Sequence, residues 1–228
     1  IYWNKGMEQA PIIVQKCYES VCKHSNQKII LLNDQNLAEY IRLPDYIEKK
    51  KDAGQIPMAG YADLMRFALL EHYGGTWIDS TVYLTDPIPD MILNSDFFAV
   101  QNSLLLIDNP VLYPAWFLHA KKGNKTIREI RNVAFAYWLK NEHVIEYLLP
   151  NLIITLVVKS NPEVEQEIPY MNSDYSEYLV KVLADEYSEE KWNWIKKLTG
   201  IHKLTYKLSP DIEAEGTFYK ALIENSIE

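Results

Sequence analysis

The sequence predicts an α/β fold in which a central mixed sheet is flanked by helices and the C-terminal part is mainly helical. Strand-like and helix-like segments alternate through the first hundred residues, and helical patterns dominate from about 114 to 200. The clearest single feature is an apolar helix over 57–73 that is followed at once by an alternating strand over 76–84. Because 228 residues is an ordinary size for one domain, we expect a single domain over 1–228.

The predicted elements follow one another in a simple order. They are strand 1–3, helix 10–24, strand 28–32, short helices through 36–52, helix 57–73, strand 76–84, strand 96–101, helices 114–121, 125–140 and 142–157, and further helices after 174. Ligands in such sheets gather at the carboxyl ends of strands. We therefore expect Trp3, Asn33, Asp34 and Asp79 to lie near one edge of the sheet.

The helix over 57–73 carries charge on an apolar surface. Asp63 and Arg66 lie about 60° apart on the helical wheel, with Leu70 between them. A helix that is apolar nearly all round is normally interior, and charges there are paired or face a ligand cavity. The pattern alone leaves two interpretations open, an ion pair that holds the fold and a pair that contacts a ligand.

The strand that follows carries an acid and a hydroxyl. The glycine pair Gly74-Gly75 is suited to ending the helix, and strand alternation then places Asp79 and Thr81 on the same face. A carboxylate and a hydroxyl are hard oxygen ligands, which suit a magnesium or manganese ion that bridges to phosphates. The pattern therefore indicates a metal and phosphate site near Asp79.

Two runs of residues carry a family resemblance. The sequence Ala-Asp-Leu-Met-Arg over 62–66, with Leu-Leu-Glu-His-Tyr-Gly-Gly-Thr-Trp-Ile-Asp-Ser-Thr over 69–81, resembles the signature of capsular polysaccharide synthesis glycosyltransferases. These are related to glycosyltransferase family thirty-two, the DXD-type sugar transferases. The run Gly-Ile-His-Lys-Leu-Thr-Tyr-Lys over 200–207 is similar to the closing motif of the same family. The opening helix with Cys17 and Ser20, and the segment 132–147, extend the resemblance over most of the chain.

The resemblance implies a fold, an activity and a set of roles. The implied fold is GT-A, and the implied activity is retaining transfer of a hexose, galactose or glucose, from a UDP-sugar to a lipid-linked oligosaccharide in capsular repeat-unit synthesis. Asp79 and Arg66 would be catalytic, Asp63 and Arg66 would contact the donor, and Lys203 would meet its phosphates. A Mn²⁺ or Mg²⁺ ion would be held by Asp79, Thr81 and His202, although Thr81 stands where many relatives have a second acid.

Other candidate residues depend on what a nucleotide sugar and its acceptor require. Trp3 or Tyr2 would stack on uracil, and Asn33 or Asp34 would bond the edge of the base, while Ser80 and Asn102 complete the predicted donor site. The predicted acceptor or sugar contacts are Trp138, Asn141 and Glu142. Trp3 and Trp138 are also consistent with ordinary core positions, and Asn33 and Asp34 with polar loop positions.

Composition limits the partners and the location. A net charge of −8, from 31 acidic and 23 basic residues, argues against a broad nucleic-acid surface. No stretch approaches the roughly 20 apolar residues of a membrane helix, and Cys17 and Cys22 are spaced poorly for a disulfide. We expect a cytoplasmic protein, peripheral at the inner face of the plasma membrane, because basic and aromatic residues mix over 191–197. The missing initiator Met is compatible with a numbering that begins inside the native chain.

Two functions from other classes remain open at the level of sequence. The 16 tyrosines and 6 tryptophans are compatible with a non-catalytic saccharide-binding module. Asp79 and His202 would equally serve a metal-dependent hydrolase that cleaves nucleotide sugars.

Overall fold

The chain folds into two compact units. A computed structural model describes residues 1–103, 108–209, 212 and 214–224. One unit, here the terminal unit, comprises Ile1–Asp34, Asp79–Pro89 and Asn172–Glu228, and the other, the middle unit, comprises Gln35–Ile78 and Asp90–Met171. The single-domain assignment remains a prediction.

Twelve α-helices and five strands lie within the described residues. The helices are α1 Ile12–His24, α2 Leu37–Tyr40, α3 Asp45–Asp52, α4 Met58–Tyr73, α5 Asp90–Leu93, α6 Lys125–Lys140, α7 Leu149–Lys159, α8 Pro162–Glu167, α9 Ser173–Ser176, α10 Tyr178–Lys181, α11 Glu189–Leu198 and α12 Phe218–Ile223. The strands are β1 Gly75–Ile78, β2 Val82–Leu84, β3 Phe97–Ala99, β4 Phe117–Ala120 and β5 Ile201–Lys203.

The middle unit is built on a three-stranded antiparallel sheet. Strand β4 lies between β1 and β3, with Trp77 opposite Leu118 and Phe98 opposite His119. Helix α4 packs against β1, β4 and α6. Phe98 and Phe117 are fully buried and meet edge to face, with ring centroids 6.0 Å apart. The apolar surface of α4 is thus covered, as its composition predicts.

The terminal unit is built on a pair of antiparallel strands, β2 and β5, against which α1, α9 and α10 pack. The buried hydroxyl of Ser20 in α1 donates to the carbonyl of Cys17 at 2.7 Å and accepts from the backbone N–H of Leu84 at 2.9 Å. This bond ties α1 to β2, because a buried N–H needs an acceptor. Sequence reasoning assigned no such role to Ser20.

The helix predictions over 10–24, 57–73 and 125–140 are confirmed by α1, α4 and α6. The predicted helix 142–157 begins later, at α7, where Pro150 lies in the first turn. The predicted helix 114–121 is wrong, because residues 117–120 form β4. A short apolar run can form either element, and here hydrogen bonding to two neighbouring strands decides it.

The strand predictions need larger corrections. Segments 1–3 and 28–32 form one isolated parallel bridge, between Tyr2 and Leu32, and neither is a strand of a sheet. The predicted strand 76–84 is broken at 79–81, where the N–H of Val82 donates to the carbonyl of Asp79 at 3.0 Å. The sheets within the described ranges are small and antiparallel, so the predicted central mixed sheet is wrong, and the GT-A assignment remains a prediction.

Candidate functional site

The turn before β2 holds an ion pair that shares a hydroxyl group. The ammonium of Lys203 donates to Asp79 Oδ2 at 3.0 Å and to Thr81 Oγ1 at 2.6 Å. The side chains of Lys203 and Asp79 are 22% and 24% exposed, and Thr81 is buried. We call these three residues the Lys203 cluster. Its two charged members are therefore mostly covered and keep a small solvent-exposed fraction.

Backbone pairing fixes the geometry of this cluster. Lys203 lies opposite Val82 in the β2–β5 ladder, and the N–H of Leu204 donates to the carbonyl of Thr81 at 2.8 Å. The pairing of β2 with β5 thus brings Lys203, a residue of the closing motif, beside Asp79 and Thr81, which lie more than a hundred positions earlier. Ser80 is half-buried in the same turn. The sequence predicted Asp79, Thr81 and Lys203 as site residues, and the structure brings the three together.

His202 belongs to different surroundings. Neighbouring strand residues point to opposite faces, and the His202 ring is fully buried, with Nε2 3.1 Å from Thr85 Oγ1 in a hydrogen bond. Its centroid is 6.3 Å from that of Trp192. Burial lowers the pKa of His202 to about 4, so the ring is neutral near pH 7. Thr85 and Trp192 were not predicted as its partners, since only the tertiary structure places them there.

The predicted metal ligands do not form a set. Asp79 and Thr81 share the ammonium of Lys203, and His202 bonds Thr85. Among the described residues no group of three or more His, Cys, Asp or Glu side chains is arranged to hold a metal ion. One carboxylate and one hydroxyl already bridged by a protein cation are a poor donor set for Mn²⁺ or Mg²⁺. The residues present therefore do not fit the predicted ion.

Asp63 and Arg66 form an ion pair inside the middle unit. Arg66 Nη1 lies 3.1 Å from Asp63 Oδ1 and donates to the carbonyl of Ala115 at 2.5 Å. The guanidinium also stacks over the ring of Trp77 at 5.0 Å. The side chain of Arg66 is 8% exposed and that of Asp63 is 17% exposed. These contacts give the pair a structural role, while its role in donor binding remains a prediction.

The predicted base-binding residues lie around the Tyr2–Leu32 bridge. Trp3 is half-buried and meets Tyr206 edge to face at 5.4 Å. Asp34 accepts from the Tyr2 hydroxyl at 2.5 Å, and its N–H donates to the carbonyl of Asn4 at 3.0 Å. Asn33 is half-buried next to it. The structure therefore places Trp3, Asn33 and Asp34 close together, whereas their role in binding a base remains a prediction.

The remaining predicted contacts lie in the middle unit. Asn102 Nδ2 donates to the carbonyl of Val111 at 2.9 Å, and Trp138 is 4% exposed, which is typical of a core residue. Asn141 ends α6 by donating to the carbonyl of Tyr137 at 2.8 Å, and Glu142 beyond it is exposed. Acceptor or sugar binding by these residues remains a prediction.

A cavity of about 490 Å³ in the terminal unit was not predicted from the sequence. Its lining includes Lys23, His24, Asp86, Trp192, Lys196 and Lys197. Lys23 and His24 lie in the last turn of α1, and Lys196 and Lys197 in the last turn of α11. Cations at those positions complement the negative ends of helix dipoles, so the basic lining has a structural explanation.

Together these features define a mixed α/β protein with a partly exposed acid, hydroxyl and lysine cluster beside a short strand pair. Residues 1–222 match the model of a family described as capsular polysaccharide synthesis protein, so the chain belongs to that family and has a role in capsular polysaccharide synthesis. No curated protein matches the chain. Within the described ranges, no helix has the length and apolar content that crossing a bilayer requires.

Proposed function

We propose that this protein is a retaining glycosyltransferase that moves a hexose, galactose or glucose, from a UDP-sugar to a lipid-linked oligosaccharide in capsular repeat-unit synthesis. The observation that carries the proposal is the Lys203 cluster, in a chain of the capsular polysaccharide synthesis family. A fixed cation suits a leaving group that carries two phosphates. The protein would work at the cytoplasmic face of the membrane as a peripheral protein, because its acceptor is lipid-linked.

The chemistry would depend on stabilising the departing nucleoside diphosphate. The Lys203 ammonium donates a charge-assisted hydrogen bond to a phosphate oxygen, and Asp79 and Thr81 hold the ammonium in place. No carboxylate stands out in the sequence as the nucleophile of a double displacement. A front-face reaction, in which the leaving diphosphate helps to deprotonate the acceptor hydroxyl, agrees with this pattern.

The proposal is tested by measuring UDP release from UDP-glucose and from UDP-galactose, each incubated separately with the purified chain. We expect slow release from one donor, and a loss of at least about tenfold in Asp79→Asn because the ammonium is no longer held by a charge. The matched control is Asp174→Asn, an exposed acid in α9. Circular dichroism checks that both variants fold.

Other products would indicate the other functions. Release of UMP in place of UDP would favour a nucleotide-sugar hydrolase or nucleotidyltransferase. Binding of free glycan with no UDP release from either donor would favour a saccharide-binding module. UDP release that is unchanged in Asp79→Asn would remove the cluster from the mechanism.

A further inference from the structure

We infer that Lys203 takes the place of the divalent ion in this chain, so that binding of a nucleoside diphosphate requires Lys203 and does not require Mn²⁺ or Mg²⁺. The inference rests on the proposed function, because it concerns the diphosphate of the same donor. The geometry of the Lys203 cluster departs from the metal site that the sequence predicts.

The ammonium of Lys203 lies where the predicted ion would bind. Its hydrogen bonds, at 3.0 Å to Asp79 Oδ2 and 2.6 Å to Thr81 Oγ1, use the two oxygens that were expected to bind that ion. The third expected ligand, His202, is directed away and bonds Thr85. A second cation between Asp79 and Thr81 would have to displace Lys203, which would break the ion pair and leave a mostly covered ammonium without these two acceptors.

The same ammonium keeps one donor for a ligand. A lysine ammonium has three N–H groups, and two of those of Lys203 are directed at Asp79 and Thr81. No other acceptor within the described residues takes the third. Because the side chain of Lys203 is 22% exposed, a phosphate oxygen can approach that N–H. Two fixed contacts also reduce the side-chain entropy that a free lysine would lose on binding.

The charge of the cluster sets the size of the expected effect. Lys203 and Asp79 together have a formal charge of zero, whereas a divalent ion beside one carboxylate would leave an excess of one positive charge. Lys203 therefore acts through one directed, charge-assisted hydrogen bond and not through a large local potential. We expect its removal to weaken diphosphate binding by about tenfold to a hundredfold.

The test is calorimetric titration with UDP, once in EDTA and once in Mn²⁺, with uridine as the phosphate-free comparison. We expect the unmodified chain to bind UDP with the same affinity in both buffers. Lys203→Met should lose about tenfold or more for UDP and nothing for uridine. Lys181→Met, which removes an exposed lysine from α10, is the matched control and should bind like the unmodified chain.

Thr81→Val is the second variant, since it removes one contact of the ammonium while keeping the shape of a buried side chain. We expect it to weaken UDP binding less than Lys203→Met does, so the inference stays testable if Lys203→Met does not fold. The inference would be overturned if UDP binding disappeared in EDTA. It would also be overturned if Lys203→Met and Thr81→Val both bound UDP normally. Either result would leave the transferase proposal standing. A failure of UDP to bind the unmodified chain in either buffer would overturn both.

Discussion

Two neighbouring residues of β5, His202 and Lys203, have opposite environments. The His202 ring is fully buried against Thr85, whereas the Lys203 ammonium reaches the partly exposed turn at Asp79 and Thr81. The sequence placed both residues in one phosphate and metal site because they are adjacent in a motif. Strand alternation directs the two side chains to opposite faces. Because the buried His202 ring is neutral, the stability of the fold should depend on pH.

Stability should depend on pH through His202. Its pKa is about 4 in the folded chain and near 6.5 when exposed, so the unfolded state binds more protons between these values. The free energy of unfolding should therefore fall as the pH is lowered through this window, by on the order of 3 kcal/mol from His202 alone.

Urea unfolding at pH 7 and at pH 4.5 measures the effect. His202→Gln keeps a polar group near Thr85 without the titrating ring, so its loss of stability on acidification should be smaller than that of the unmodified chain. His143→Gln, at an exposed position, is the control. Equal acid sensitivity in His202→Gln and the unmodified chain would contradict the prediction.

Arg66 allows the structural and the functional interpretations of its ion pair to be separated. Arg66→Met should destabilise the middle unit by about 3 kcal/mol, because it removes the Arg66 guanidinium from the mostly buried Asp63 carboxylate. The double variant with Asp63→Asn should recover part of that loss. Arg128→Met, at a side chain that is 48% exposed, should change the free energy of unfolding by less than about 1 kcal/mol. If Arg66→Met unfolds at the same urea concentration as the unmodified chain, the pair has no structural role.

At the scale of elements, two backbone segments approach closely at the connection from α4 to β1, and a glycine allows this. Gly74 ends α4 with φ +72°, and a Cβ there would lie 2.5 Å from the backbone N of Lys122. Gly75 has φ +98° but open space around its Cβ position. The two glycines are therefore not equivalent, although both adopt backbone conformations that favour glycine.

Substitution at these glycines should give different losses of stability. Gly75→Ala should cost about 1–3 kcal/mol from backbone strain alone. Gly74→Ala should cost more, because the new methyl group also collides with a backbone atom that cannot move away alone. Thermal unfolding of the two variants compares them directly, and equal melting temperatures would contradict the difference.

The elements that depend on contacts between residues close in sequence were predictable, and those that depend on pairing between distant segments were not. Helices α1, α4 and α6 follow from local periodicity, capping and glycine termination, so the sequence predicted them closely. The strands did not follow in the same way. The run at 117–120 became a strand because β1 and β3 hydrogen-bond to it, and the run at 76–84 was broken by a turn at Asp79.

At the scale of the whole molecule, net charge and family membership limit the partners that the protein can have. The net charge of −8 gives a field that repels polyanions, and membership of the capsular polysaccharide synthesis family extends over residues 1–222. The lysines of the cavity lie at helix ends, where they complement helix dipoles.

The protein should therefore not bind duplex DNA at physiological ionic strength. Fluorescence anisotropy of a labelled duplex titrated with the chain measures this, and a basic DNA-binding protein provides the positive control. Binding that weakens steeply with added salt would show a phosphate-contacting surface and contradict the prediction.

The sequence by itself determined the family, the main helices and the identity of Asp79, Thr81 and Lys203 as residues of interest, because motif spacing and helical periodicity are local properties. Only the tertiary structure decided that Lys203 bridges Asp79 and Thr81 and that His202 is buried against Thr85. The physical reason is that the pairing of β2 with β5 joins segments more than a hundred residues apart. Which side chains such a ladder brings into contact depends on its register and on strand alternation.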